Sequence, residues 1–593
     1  MTTGLHACSS GGDPGSSEQR ADPGLRRGVA AAKAPAVLLA AVLCLAGALR
    51  LTGVSEVGLR YADGSWYASD ARLWHRCAKV AADPLSWYAV FRQDKAFLLS
   101  RLDAHGVDRS GRYAKPCQGY TLLVAAMMTI VGDTPSAGPI TNAVLSTMSV
   151  GVLFVGVRRL LGDSVAFLAA LLLALSPYDL VYARADLADP AATFFVLSGV
   201  LLWANAPQDR VTPGRRLLIT GVALGLAATC HYRSVLFVSI LFGIDAARVI
   251  ARGAGSGIVV EARRLGARWT WIGFGCVLPV AALETFFQSG ALAARMSDAF
   301  FPFQSFVGAA WHWIGLHFDG DAKATPDLGA IAVYAGYLVR WQGWVFVGLT
   351  GIGVIICIRR GFALCVAGIA PVLVILSLLF QPYHVARALS VVVPMMCVCA
   401  AVGAATLARV CSGGGRMTAA GALAGALLAP LAHAGYRAAG VMKHRSGLAP
   451  LVRELASSDG AILVPNVMLY QPYAEPLGLK LVSAEEMPRV APDEAIRWMI
   501  EHEVTRVVLD PQHWHCDPRS DEFRFWERLE AHLRAVAAPS AQFPHLSDYR
   551  WEFLAEGPGC DRLADMIASD AGPLRVYEVR GAGGGLTDRR VER

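Results

Sequence analysis

The chain is poor in charge. Asp, Glu, Lys and Arg make up 17% of its 593 residues, where soluble domains carry roughly 25%. That deficit excludes a wholly soluble protein. Glycine-rich phosphate loops are missing too: there is no GxxxxGKS/T, no GxGxxG and no GxSxG. A P-loop nucleotide site, a dinucleotide fold and a nucleophile-elbow hydrolase are therefore not encoded. No internal repeat is visible, which counts against an inverted-repeat transporter. Cysteine is sparse in the long polar segments. Of 13 cysteines one, Cys8, lies in the N-terminal tail, and only Cys77, Cys117, Cys516 and Cys560 fall in the long polar segments beyond it.

In place of charge there is apolar sequence, 54% of the chain. A membrane span needs about 20 mostly apolar residues. Eleven spans are expected, near 34–52, 137–157, 164–181, 190–206, 216–231, 234–250, 269–287, 338–358, 361–380, 388–410 and 417–435. Residues 1–33 are rich in Gly, Ser, Pro and Asp and end in Arg26, Arg27 and Lys33, the composition of a disordered cytoplasmic tail. The long tail, and the lack of a small-x-small site after the first apolar run, favour an uncleaved span over a signal peptide. Gly119–Gly132 is apolar but too short to cross. It is expected to lie on the outer surface.

Loop arginines fix the orientation. With the N-terminus inside, the inner loops hold Arg158 and Arg159; Arg210, Arg215 and Arg216; Arg248, Arg252, Arg263, Arg264 and Arg268; Arg359 and Arg360; Arg409 and Arg416. The short outer loops hold only Arg184, Arg233 and Arg387. This is the positive-inside pattern. It also accounts for the net charge of +7 without a nucleic-acid partner. From about residue 440 charges and prolines return. Ala461–Val464, Arg506–Leu509 and Leu574–Val579 read as strands, and Ala491–Glu503 and Glu522–Ala535 as amphipathic helices. The expected architecture is a polytopic α-helical membrane protein: a tail over 1–33, a transmembrane unit over 34–435 whose first outer loop is 54–136, and an extracytoplasmic α/β domain over 440–593. The outside is oxidising, so one disulfide in each outer region, Cys77–Cys117 and Cys516–Cys560, suits the counts.

The outer loops carry the chemistry. Tyr182-Ala-Arg184-Ala-Asp186-Leu-Ala-Asp189-Pro places two carboxylates and an arginine between two apolar runs. Boundary carboxylates are costly to desolvate, so they point to function. Asp70 opens a second acidic stretch in the first outer loop. Asp63 is the alternative acid there, although Asp63-Gly64 reads as a turn. Asp70 and Asp189 would each serve equally as helix caps, and Arg184 and Asp186 as an interfacial ion pair. Cations reach the same face: Lys115, His231, Arg233 and Arg387. They could hold a phosphate, Arg by a bidentate fork and Lys as a point charge, or simply snorkel to lipid headgroups. His513-Trp-His515-Cys516 lacks a second ligand cluster and is a poor zinc site.

These motifs, in order, resemble the GT-C superfamily of membrane glycosyltransferases, in particular the bacterial protein O-mannosyltransferase and lipid A aminoarabinose transferase group. The family's first outer acid, D-E-x-x-Y-x-x-x-A, is matched by Asp70-Ala-Arg-Leu-Trp74-His-Arg-Cys-Ala78. Its K-P-P element is matched by Lys115-Pro116-Cys117, leading into the surface helix and Gly132-Asp-Thr. The second acid, A-R-x-x-x-x-D-x-x-x-x-F-F, is matched by Ala183-Arg184 through Asp189 to Phe194-Phe195. G-L-x-x-x-T-K appears as Gly225-Leu-Ala-Ala-Thr229-Cys-His231, with His231 for lysine. R-Y-x-x-x-x-x-P appears as Arg387 through Pro394. The resemblance covers about 34–435. It implies transfer of a sugar from a polyprenyl-phosphate donor to a lipid, glycan or protein acceptor at the outer face of the bacterial plasma membrane. Asp70 would be the general base for the acceptor hydroxyl, and Asp189 would orient the acceptor or Asp70, or help bind a divalent cation. Arg184 and Asp186 would support, and Lys115, His231, Arg233 and Arg387 would hold the leaving phosphate. No metal-ligand set is read from the sequence; a divalent cation is the one candidate cofactor. A pyrophosphate-donor oligosaccharyl or phospho-glycan ligase remains an alternative, as does a lipid-linked sugar transporter, for which Glu284 is the main deep acid. A non-catalytic scaffold would not need acids and cations on one face.

Overall fold

The computed structural model describes residues 23–59, 62–86, 117–206, 214–295, 328–379, 386–410, 416–441, 447–510, 521–536, 538–543 and 574–579, with isolated residues between 92 and 104. Fifteen of the described helices precede residue 442: α1 Pro23–Leu51, α2 Ala62–Ala82, α3 Gln118–Val131, α4 Ala137–Leu161, α5 Asp163–Leu175, α6 Pro177–Tyr182, α7 Ala188–Ala204, α8 Gly214–Cys230, α9 Val235–Ser256, α10 Ile258–Arg295, α11 Gly329–Gln342, α12 Trp344–Arg360, α13 Phe362–Leu378, α14 Val393–Val410 and α15 Arg416–Val441. One large apolar core runs from Val42 in α1 to Leu431 in α15, and a second, smaller one holds α2 and α3. Their outward faces are also apolar, as with Trp271, Phe274 and Val277 on α10, the pattern of helices packed in lipid. This is a multi-pass membrane protein.

The expected spans are met only in part. Among the described residues four helical stretches are long and apolar enough to cross a membrane: Pro35–Glu56, Ala137–Leu161, Tyr232–Arg252 and Arg387–Val410. The expected span 338–358 is broken. Gly343 takes φ 84°, and the two helices it joins, α11 and α12, meet at a bend of 116°. The expected span 164–181 also breaks, at Ser176. There Pro177 starts the short α6 and the Ser176 hydroxyl caps it by accepting from Asp179 N. The short segment 119–132 is one helix, α3, packed on α2 and α4.

Two buried polar nodes tie the bundle. Arg50, fully buried near the end of α1, pairs with Asp179 of α6 at 2.6 Å and also donates to Ser146, Leu173 O and Ala174 O. Asp245 of α9 accepts from Trp203, Arg268 and Trp269 at 3.0 Å each. Such charges persist in an apolar interior only when every lone pair is met.

From residue 448 the chain forms α16 Leu448–Leu455, β1 Ala461–Val464, α17 Val467–Ala474, β2 Leu481–Ser483, α18 Pro492–Glu501, β3 Val504–Leu509, α19 Asp521–Val536, β4 Ala541–Phe543 and β5 Leu574–Glu578. The sheet order is β2-β1-β3-β5-β4; β1 is parallel to β2 and β3, and β5 is antiparallel to β3 and β4. Alternate residues of β1 feed opposite cores. Ala461 and Leu463 join α18 and α19, while Ile462 and Val464 join α16 and α17. The three expected strands and two expected helices are present. The short β2 and β4 were too brief to carry a sequence pattern.

Candidate functional site

Four separated chain segments converge at one end of the bundle. The first is the N-terminal turn of α2, with Asp63. The second is the loop from α6 into α7, which carries Arg184, Asp186 and Asp189. The third is the turn after α8, with His231 and Arg233. The fourth is the 3-10 turn Ala386–Val392, with Arg387. Arg387 pairs with Asp63 at 2.9 Å, both side chains partly exposed at 22% and 29%. His231 Nε2 faces Asp189 Oδ1 at 3.9 Å. Tyr67 feels Asp63, Asp189 and Arg387 together. One patch thus holds two reachable carboxylates, two arginines and a histidine.

Asp63 does not sit in a turn. It lies in the first turn of α2, where a carboxylate is favoured by the helix dipole. Gly64 makes the placement possible: a Cβ there would lie 2.8 Å from Asp186 O. The helix start can press against the Asp186 loop only without a side chain. Asp70 lies on the same face of α2 but is enclosed. Only 9% of it is exposed. Its Oδ2 accepts from the Gln118 amide at 3.0 Å, and Gln118 Oε1 in turn accepts from Trp74 and Thr121. The sequence did carry a signal for Asp63. The pattern D-E-x-x-Y-x-x-x-A fits Asp63, Tyr67 and Ala71 with a true tyrosine, and Gly64 stands where the glutamate would be.

Asp189 occupies the first turn of α7, whose N-cap is Leu187, so it is not the capping residue. Asp186 is buried at 1%. Its Oδ1 accepts from Tyr120 OH at 2.5 Å, and Asn142 ties Tyr120 to the carbonyls of Ala185 and Leu187. Asp186 Oδ2 has no hydrogen-bond partner. Burial pushes its carboxyl up to about 8 against the Tyr120 hydrogen bond, so it holds a proton at neutral pH. Asp186 is an anchor for the loop. Arg184, fully buried, donates to Leu49 O and Thr52 O and so holds the C-terminal end of α1.

His231 differs from the lysine it replaces. Burial lowers it to about 4, with Asp189 opposing and Arg233 and Arg387 assisting, so it is neutral at pH 7. Its Nδ1 accepts from Arg233 N at 3.3 Å, which puts the proton on Nε2, toward Asp189. His231 is therefore a hydrogen-bond donor here and not the expected cation. Arg233 Nε is buried without a hydrogen-bond partner, and its charge, like that of Arg387, acts on His231. Lys115 lies outside the described residues, as do Cys516 and Cys560 and the His513–His515 pair.

Cys77 and Cys117 are not joined to each other, so the disulfide that the counts would suit is not formed. Cys117 is buried at the start of α3, its Sγ facing Tyr67 OH at 3.6 Å, while Cys77 packs against the same apolar cluster. Among the described residues no group of three His, Cys, Asp or Glu converges as a divalent-cation site would need; Asp63 is matched by Arg387 and Asp189 faces an N–H.

The chain superposes on ArnT from Cupriavidus metallidurans bound to undecaprenyl phosphate. The TM-score is 0.53 at 11% identity, covering 93% of this chain and 99% of that one. The chain has the fold of the GT-C glycosyltransferases. The archaeal oligosaccharyltransferase AglB from Archaeoglobus fulgidus, in complex with an inhibitory peptide and a dolichol-phosphate, gives the same result, with a TM-score of 0.52 at 12% identity over 84% of this chain and 72% of that one. In sequence, residues 116–254 match the family of dolichyl-phosphate-mannose-protein mannosyltransferases. That segment holds Asp186, Asp189, His231 and Arg233 of the patch described above; Asp63, Asp70 and Arg387 lie outside it. No curated protein sequence matches the chain.

Proposed function

We propose that this chain transfers a sugar from a polyprenyl-phosphate donor to an acceptor at the outer face of the plasma membrane, with its N-terminus cytoplasmic and the sheet-bearing C-terminal region outside. The observation that carries the reading is the Arg387–Asp63 pair beside Asp189, His231 and Arg233, assembled from four chain segments. In the proposed step the acceptor hydroxyl attacks the anomeric carbon in a single inverting displacement. Its proton passes to a carboxylate, and the sugar–phosphate C–O bond breaks with its electron pair on the phosphate. Arg387 and Arg233 receive that charge, as preorganised cations do for a developing anion. Lys115 is proposed as a further phosphate ligand from the motif resemblance.

Geometry favours Asp63 over Asp70 as the base. Asp63 is reachable and sits beside the cations, whereas Asp70 is enclosed and bonded to Gln118. Asp189, held near His231, would orient the acceptor. A positioned base is worth roughly 10²–10⁴ in rate.

The test is turnover by purified protein of a panel of polyprenyl-phosphate sugars, comparing wild type with Asp63→Asn and Asp70→Asn. Turnover lost in Asp63→Asn and largely kept in Asp70→Asn supports the assignment; the reverse returns the role to Asp70. Turnover only of pyrophosphate-linked donors would replace this reading with that of an oligosaccharyl or phospho-glycan ligase.

A further inference from the structure

Helix α2 has two faces with different work. At about 100° per residue, Asp63, Tyr67, Asp70 and Trp74 fall on one side. Arg72, nine residues beyond Asp63, falls half a turn away with Arg76 beside it. The second face is gripped by acids from two other parts of the chain. Arg72 Nε meets Asp133 Oδ1 at 2.7 Å and its NH1 meets Glu475 Oε2 at 3.3 Å, while its NH2 donates to Pro472 O at 2.8 Å. Arg76 meets Glu475 Oε1 at 2.7 Å and Asp133 Oδ2 at 3.8 Å.

Asp133 follows α3, whose first residue, Gln118, bonds Asp70 on the opposite face of α2. Pro472 and Glu475 belong to α17 and the turn after it, in the sheet region, and α17 packs directly on α2. A further tie joins Leu59 N, just before α2, to Tyr473 OH at 2.7 Å. Arg72 is only 2% exposed. A buried arginine is stable there because both carboxylates and a carbonyl meet it, and charge-assisted bonds of this kind are the strong ones.

We infer that the C-terminal α/β region positions the acid-bearing helix: Glu475, with Asp133, clamps the back face of α2 through Arg72 and Arg76 and thereby holds Asp63 against Arg387. Glu475 is a positioning residue that touches no reacting atom. The inference rests on the proposed site for its functional consequence, although the clamp itself is a matter of structure. It also makes the sheet region part of the transfer apparatus, able to pass a change on its own surface to the base.

The test uses the full-length protein in detergent micelles. Amide hydrogen exchange is followed in α2, β1 and β3, alongside turnover of whichever polyprenyl-phosphate sugar is accepted. Glu475→Gln and Arg76→Gln are expected to speed exchange across residues 62–82 about tenfold, by loss of a bond to a charged group. Exchange in β1 and β3 should not change. Lys480→Gln removes an exposed pair with Glu503 on the same region and should leave α2 unchanged. Glu475→Asp, which keeps the carboxylate for Arg72 and Arg76, should exchange more slowly than Glu475→Gln. Turnover in Glu475→Gln should fall in kcat with donor KM kept, since a misplaced reacting group costs up to about 10²-fold.

Unchanged α2 exchange in Glu475→Gln overturns the inference. So does exchange that rises equally in β1 and β3, which would mean general loosening. If wild type turns over no donor, the proposed function fails while the exchange result still decides the clamp.

Discussion

Asp186 and His231 give the site a pH signature in stability that can be worked out residue by residue. Burial raises the Asp186 carboxyl to about 8. In the unfolded chain it titrates near 3.9, so the folded state binds the extra proton across that window. Its contribution is whole below the unfolded value and is lost as pH rises toward about 8. His231 runs the other way. Its folded value, about 4, lies below the ordinary 6.5. Its contribution is whole above 6.5 and is lost as pH falls toward 4. Each unit of pH is worth about 1.4 kcal/mol per proton. Between pH 5 and 6.5 the two terms are each about 2 kcal/mol, opposite in sign, and nearly cancel.

These two groups by themselves leave stability flat over that range and lower it by about 1.4 kcal/mol per unit from 6.5 toward 8; other groups, His75 among them, add a slope common to wild type and the variants, so each variant is read against wild type. Asp186→Asn removes only the falling term. Its unfolding free energy should rise by about 2 kcal/mol from pH 5 to 6.5 and then level off. His231→Gln should fall by about 2 kcal/mol over the same window. The asparagine amide would occupy the unpartnered Oδ2 position. That lowers stability at every pH alike, so the slope and not the level is diagnostic. Thermal midpoints in detergent at constant salt, from pH 5 to 8, read the slopes. Coincident profiles for Asp186→Asn and wild type would refute the buried, protonated carboxyl.

Other predictions follow from single contacts. Arg50→Met leaves Asp179 buried without its cation and should cost about 3–5 kcal/mol, read as a lowered thermal midpoint, whereas loss of the exposed Arg158–Asp163 pair should cost under about 1 kcal/mol. Gly138→Ala would drive a Cβ into the Asp186 carboxyl and should destabilise by about 1–3 kcal/mol, with the damage greatest in turnover because the Asp189 loop moves. After denaturation without reductant, alkylation of Cys77 and Cys117 should add two labels, since no disulfide joins them; a missing pair of labels would contradict the structure.

Much of this protein could be read before folding was considered. Low charge, long apolar runs and the arginine distribution report transfer free energies that belong to each segment alone, so a membrane bundle with polar outer loops was legible. So were Ala461–Val464 and the α18 and α19 amphipathic patterns, which are local periodicities. The convergence of Asp189, His231, Arg233 and Arg387 was foreseen because all lie at span ends expected on one side.

Tertiary packing decided the rest. Asp63 and Asp70 share a helix face and a motif spacing. Only the approach of Arg387 to one and of Gln118 to the other separates a reachable carboxylate from an enclosed one. Asp186 and Arg184 were expected to support Asp189 directly. Instead, burial made one a neutral anchor for Tyr120 and turned the other to the carbonyls of α1. His231 lost its charge to desolvation, which no sequence window contains. The break at Gly343 needed a positive φ that sequence permits but does not impose. The Arg72–Glu475 clamp joins residues about 400 positions apart. Composition and periodicity are properties of a segment; ionisation, reach and pairing belong to a place, and only the fold makes places.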